Sequence, residues 1–199
     1  MPHEQELSDN LMSSLASLIG ANLPSETASA QEKAYVTYAF PQYSTDKSDS
    51  TERSVTLLES RSVISSLGTT GLRTWEAALH LGAFLASERG LGMVRGKKVF
   101  ELGAGTGMLS ILCAKHLEVS GMVATDGDEG VVDAIKTNSF LNGLDAANPP
   151  QTTVRTAALR WGWPINADTF SEDYGMDVPD VVVGADVVSY THKHKASAH

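Results

Sequence analysis

The chain has 199 residues, 42% hydrophobic and 20% charged, which is enough for one domain with a sizeable core and a smaller appendage. Its formal net charge of -9 argues against a broad electrostatic grip on nucleic acid. A single cysteine, Cys113, excludes an internal disulfide and a multi-cysteine metal site, and no apolar run is long enough to span a bilayer.

The amino terminus, Met1-Pro2-His3-Glu4-Gln5-Glu6, lacks the basic start of a signal peptide, so a cytoplasmic protein without membrane or nucleic-acid partners is expected. Leu7, Leu11, Leu15, Leu18 and Ile19 recur at helical spacing and stop at Gly20, which predicts a short amphipathic helix. Residues 41–53 are polar, with proline and serine, and read as a loop or linker. Val55 and Leu57 lie before Glu59-Ser60-Arg61, and Val63 and Ile64 after it, as expected for two short strands in a hairpin. A turn at Gly68-Thr69-Thr70-Gly71-Leu72-Arg73 then leads into a helix with Thr74 as N-cap. Trp75, Ala78, Leu79 and Leu85 form its apolar face, and Gly90 with Gly92 ends it. Spacing alone favours Trp75 as a core aromatic over a wall beside a ligand.

The densest signal is Val99-Phe100-Glu101-Leu102-Gly103-Ala104-Gly105-Thr106-Gly107, an apolar strand that turns through three glycines into a helix from Met108 to Leu117. Glycines let ligand atoms approach the backbone, and the first amides of the helix are unpaired donors. A carboxylate at Glu101 disfavours a diphosphate and favours a cationic or amine-bearing ligand. Met122-Val123-Ala124-Thr125-Asp126 reads as the next strand, and its terminal acid is suited to ribose hydroxyls. The alternative is that Asp126 caps the helix begun by Asp128 and Glu129 and carrying Val131, Val132 and Ile135.

After a loop at Asn148-Pro149-Pro150, residues 152–158 read as a third strand, followed by Leu159-Arg160-Trp161-Gly162-Trp163-Pro164. These tryptophans lie at the end where open parallel sheets bind ligands, and one is placed to stack on a purine. A polar connection over 166–178 precedes Val181-Val182-Val183-Gly184-Ala185-Asp186-Val187-Val188, an apolar run expected of a parallel strand buried on both faces. An aspartate at the end of such a strand is costly unless it is paired or faces a cleft, which makes Asp186 a functional candidate. The histidines and lysines of residues 191–199 read as a solvated, disordered tail.

Together these features resemble the seven-stranded, S-adenosyl-L-methionine-dependent methyltransferases. They are similar in particular to the protein-lysine methyltransferases in which a Trp-Glu/Asp-Ala-Ala helix precedes Glu-Leu-Gly-x-Gly-x-Gly. Val55-Thr56-Leu57-Leu58-Glu59-Ser60 together with Gly68 to Leu79 is similar to the members acting on translation elongation factor 2. The resemblance implies an α/β, Rossmann-like sheet, here carrying about its first four strands, with a small amino-terminal helical and hairpin extension. It divides the chain into an extension and linker at 1–53, an S-adenosyl-L-methionine-binding domain at 54–190, and the tail.

By the same resemblance Trp75, Glu101, Gly103, Ala104, Gly105, Asp126, Trp161 and Ala185 bind the cofactor, with Trp161 beside the adenine. Asp186 opens an Asp-x-x-Tyr element at the substrate lysine and takes the catalytic role; no metal is implied. The chain departs from that element by carrying Ser189 where the tyrosine falls, with Tyr190 one position later, and only a short polar stretch stands where the family has three more strands. Two other readings stay open: a cofactor-binding or interaction module without catalysis, and a dinucleotide-dependent oxidoreductase. The latter is opposed by Glu101 and by glycine spacing that differs from Gly-x-Gly-x-x-Gly.

Overall fold

The computed structural model describes residues 9–20, 32–40, 53–61, 70–144 and 152–187. In chain order these form α1 (Asp9–Ile19), β1 (Lys33–Phe40), β2 (Arg53–Ser60), α2 (Glu76–Ala86), α3 (Glu88–Val94), β3 (Lys98–Leu102), α4 (Met108–His116), β4 (Gly121–Asp126), α5 (Glu129–Leu141), β5 (Val154–Ala158), α6 (Phe170–Tyr174) and β6 (Val181–Gly184).

Four strands pair in parallel in the order β5-β4-β3-β6, so β3 lies inside the sheet and the direction of winding reverses between β3 and β6. Alternate residues of β3 and β4 explain how both faces are covered. Val99 and Met122 join the main core with Ile111, Leu112 and Leu117, whereas Phe100 and Val123 face the opposite side with Met176. There Phe100 meets Tyr174 edge-on at 5.3 Å between ring centroids, and Phe170 packs at 5.6 Å. This cover does not extend over β6. Val183 is buried, but Val182 is 55% exposed because β6 is an edge strand among the described residues. The expectation of burial on both faces is therefore corrected there.

The expected hairpin exists with a different partner. β2 pairs antiparallel with β1 along its whole length, from Lys33↔Ser60 to Phe40↔Arg53, while Val63 and Ile64 lie outside the described residues. Phe40, Val55 and Leu57 bring this hairpin into the main core. Gly82 on α2 is needed there: a Cβ would come within 2.9 Å of the Phe40 ring. The other edge of β2 meets side chains and a loop instead of a strand. Thr56 N–H donates to Asn142 Oδ1 at 3.1 Å, Leu58 N–H to Asn138 Oδ1 at 2.8 Å, and Ser60 N–H to the Leu72 carbonyl at 2.7 Å.

Two helix ends differ from expectation. Trp75, not Thr74, occupies the N-cap of α2 and makes no side-chain cap bond. The helix ends at Ala86, where Ser87 adopts an extended conformation and caps α3 through a bond from Gly90 N–H. Gly90 permits this tight joint, since a Cβ there would meet the Phe84 carbonyl at 2.1 Å. The predicted amphipathic helix forms as α1, with Leu11, Leu15, Leu18 and Ile19 exposed. Leu7, most of the 41–53 loop, Asn148-Pro149-Pro150, Val188, Ser189, Tyr190 and the tail lie outside the described residues.

Candidate functional site

A cleft of about 220 Å³ opens at the carboxyl ends of the parallel strands, beside the reversal between β3 and β6. Its floor is the turn after β3. Gly103, Gly105 and Gly107 have φ values of 60°, 55° and 80°, a left-handed run that L side chains resist. Close approach requires glycine as well. A Cβ on Gly103 would stand 2.7 Å from Val187 Cγ1, and one on Gly105 would stand 3.3 Å from the Gly71 carbonyl.

One side of the cleft follows β4. Asp126 Oδ2 accepts the Gly105 N–H at 3.1 Å, and Oδ1 accepts the Asp128 N–H at 3.2 Å. The carboxylate is thereby held against the glycine turn, and each oxygen retains acceptor capacity. Asp128, rather than Asp126, caps α5, with its side chain accepting the Val131 N–H. Leu159 and Trp161 line the cleft beyond β5, and Trp161 is 64% exposed. Trp163 lies outside the lining, beneath the Arg160 guanidinium at 5.4 Å from its ring centroid.

The opposite side comes from two loops. Thr70, Gly71 and Trp75 line it from the entry to α2, and the Trp75 indole N–H donates to the Thr70 carbonyl at 3.3 Å. Ala185, Asp186 and Val187 line it beyond β6. Asp186 is exposed and has a φ of 56°, a conformation that aspartate tolerates better than most residues. Such outliers cluster at ligand sites.

Of the candidate residues, Trp75, Gly103, Gly105, Asp126, Trp161, Ala185 and Asp186 line this one cleft. Ala104 and Glu101 do not. The Ala104 N–H donates to the Thr125 carbonyl at 2.8 Å, which pins the turn to β4. Glu101 is buried beneath the turn, where it accepts a hydrogen bond from the Ser110 hydroxyl. Burial pushes its carboxyl up to about 7, the nearby Asp126 charge adds to the rise, and the bonds from Ser110 oppose it. Thr70 and Gly71, read as part of a turn within the stretch that carries the resemblance, and Val187, read as part of a strand, were not among the candidate site residues.

The sequence pattern described as Lysine methyltransferase matches residues 59–196. The chain belongs to that family. A relative in Chaetomium thermophilum, Protein-lysine N-methyltransferase EFM3, is 47% identical over 181 residues, covering 91% of this chain and 51% of its own length. Human Protein-lysine N-methyltransferase EEF2KMT is 33% identical over 140 residues, covering 68% of this chain and 40% of its own. Mouse EEF1A lysine methyltransferase 3 is 36% identical over 117 residues, covering 58% of this chain and 43% of its own. The chain thus spans about half, or less, of the length of these relatives. Among the described residues, no helix is long and apolar enough to cross a membrane, and no group of three His, Cys, Asp or Glu side chains is placed to hold a metal ion.

The lining combines several groups that can meet a small ligand. It provides a carboxylate with free acceptor capacity, two exposed indoles and glycines at the floor, at the position where open parallel sheets bind ligands.

Proposed function

We propose that residues 54–190 form an S-adenosyl-L-methionine-binding unit of a cytoplasmic protein-lysine N-methyltransferase, acting on translation elongation factor 2. The observation that carries this reading is the position of Asp126 and Asp186 on one cleft floored by Gly103 and Gly105. Asp126 would hold the ribose hydroxyls, Trp161 would lie beside the adenine, and Gly103, Ala104 and Gly105 would support the methionine part, with Trp75 and Ala185 as walls. Glu101 lies beneath the turn as a buried carboxyl, and a cation bound above it would favour its charged form.

The cofactor supplies a sulfonium methyl already activated for displacement. The chain must align a neutral amine with that methyl. A solvated lysine has a pKa of about 10.4, so its ammonium must give a proton to water before the amine attacks, and desolvation on entry into the cleft lowers the ammonium pKa in that direction. Asp186 orients the amine at the exposed end of the cleft.

Labelled S-adenosyl-L-methionine incubated with this chain and elongation factor 2 tests the proposal. Label is expected on a lysine of the factor, and Asp186→Asn is expected to reduce transfer at least tenfold while leaving cofactor affinity within about threefold. Cofactor binding without transfer by the folded chain would instead identify a binding module. The name carried by the mouse relative supports elongation factor 1A as a second substrate to be run in parallel.

A further inference from the structure

One buried carboxylate has no place in the chemistry above. Glu59, on β2, is 4% exposed, and both of its oxygens are engaged: Oε1 accepts the Tyr38 hydroxyl at 2.7 Å and Oε2 accepts the Thr74 N–H at 2.7 Å. The second bond closes a circuit. Thr74 Oγ1 meets Thr106 Oγ1 at 2.7 Å, the Thr106 carbonyl accepts from Asn138 Nδ2 at 2.9 Å, and Asn138 Oδ1 accepts the N–H of Leu58, the neighbour of Glu59 on β2. The ring links four separate pieces of chain: the hairpin, the entry to α2, the glycine turn and α5.

Its members do not line the cleft, but two of them, Thr74 and Thr106, sit one residue away from groups that do. Thr74 precedes Trp75, and Thr106 follows Gly105. Because α2 begins without a side-chain cap, the Glu59 carboxylate is also the anion supplied to its amino end from another element.

We infer that Glu59 is a positioning residue for the cofactor: through Thr74 and Thr106 it sets the distance between the Trp75 wall and the glycine floor. The inference rests on the assignment of this cleft to S-adenosyl-L-methionine. By linkage, a ligand filling the cleft stabilises the hairpin, and loosening the ring weakens the ligand.

Calorimetric titration of the whole chain with S-adenosyl-L-methionine and with S-adenosylhomocysteine tests it, with circular dichroism to confirm folding. Glu59→Ala leaves the Thr74 amide without its carboxylate and is expected to weaken both ligands at least tenfold. Glu59→Gln keeps an acceptor for that amide and should recover most of the affinity. Thr106→Val removes the hydroxyl link at nearly constant volume and should weaken binding in the same direction, even if Glu59→Ala proves too unstable to titrate. Val55→Ala, a core truncation in the same hairpin, should lower the melting temperature yet leave affinity within about threefold, which separates positioning from general destabilisation. Unchanged affinity in folded Glu59→Ala or Thr106→Val would overturn the inference while leaving the cofactor assignment intact. Absence of binding by the unaltered chain would overturn both.

Discussion

Replacing Glu101 by glutamine tests the electrostatics beneath the glycine turn most directly. Burial raises the carboxyl from 4.5 to about 7 in the folded chain. Between those values the native state holds a proton that the unfolded state has lost, so native stability falls as pH rises. The stabilising contribution is complete below about 4.5 and is lost as pH passes through about 7. At 1.36 kcal/mol per pKa unit, the interval corresponds to on the order of 3 kcal/mol. Glutamine keeps an acceptor for the Ser110 hydroxyl but does not titrate. The assay is urea unfolding of both proteins at intervals between pH 4.5 and 8.5, with the difference in free energy plotted against pH. Subtraction removes contributions common to both chains, including His116, whose imidazole burial pushes down. The glutamine variant should gain about 3 kcal/mol relative to the parent across that range, with unchanged m-values. Parallel curves, within about 0.5 kcal/mol, would show that Glu101 does not retain its proton on folding and would refute the reasoning.

Two further substitutions probe the scaffold of the cleft. Gly107→Ala forces a side chain into a residue at φ 80° and puts its Cβ 2.9 Å from Ile135 Cγ2. The left-handed backbone alone costs about 1–2 kcal/mol and the overlap adds to it, so the urea midpoint should fall by the equivalent of at least ~2 kcal/mol. Asn138→Ala strips partners from the Leu58 N–H and the Thr106 carbonyl together. With one buried and one half-buried group orphaned, a loss of roughly 1–4 kcal/mol is expected in the same assay, and hydrogen exchange at the Leu58 amide should accelerate by more than global destabilisation explains.

The half of the site built from consecutive residues was legible in the sequence. β3, its glycine turn, α4, β4 and Asp126 form one uninterrupted unit whose apolar periods and glycines carry the information locally, and this unit is also the floor of the cleft. Contacts made across long separations were not legible. β1 was missed although Tyr35-Val36-Thr37-Tyr38 has strong strand character, because its partner lies beyond a polar stretch, and the nearer Val63-Ile64 offered a shorter connection for β2. Thr74 was misread as a cap because its hydroxyl matched the local preference; tertiary structure instead directs that hydroxyl to Thr106. Glu59 gave no sign of its role, since Tyr38 and Thr74 lie 21 and 15 positions away.

The two asparagines at the end of α5, Asn138 within it and Asn142 at its C-cap, do more than cover a strand edge. Thr56 and Leu58 are two residues apart on β2, a rise of about 6.8 Å, while Asn138 and the C-cap Asn142 are four apart, a helical rise of about 6.0 Å. The near match lets each amide face one backbone group, and Asn142 engages both the N–H and the carbonyl of Thr56. A slip of β2 by one residue along this ruler would present the wrong edge to both amides. It would also turn the fully buried Val55 and Leu57 toward solvent. Alignment of the hairpin, and with it the placement of Glu59, is thus dictated by asparagines 80 and 86 residues further along the chain.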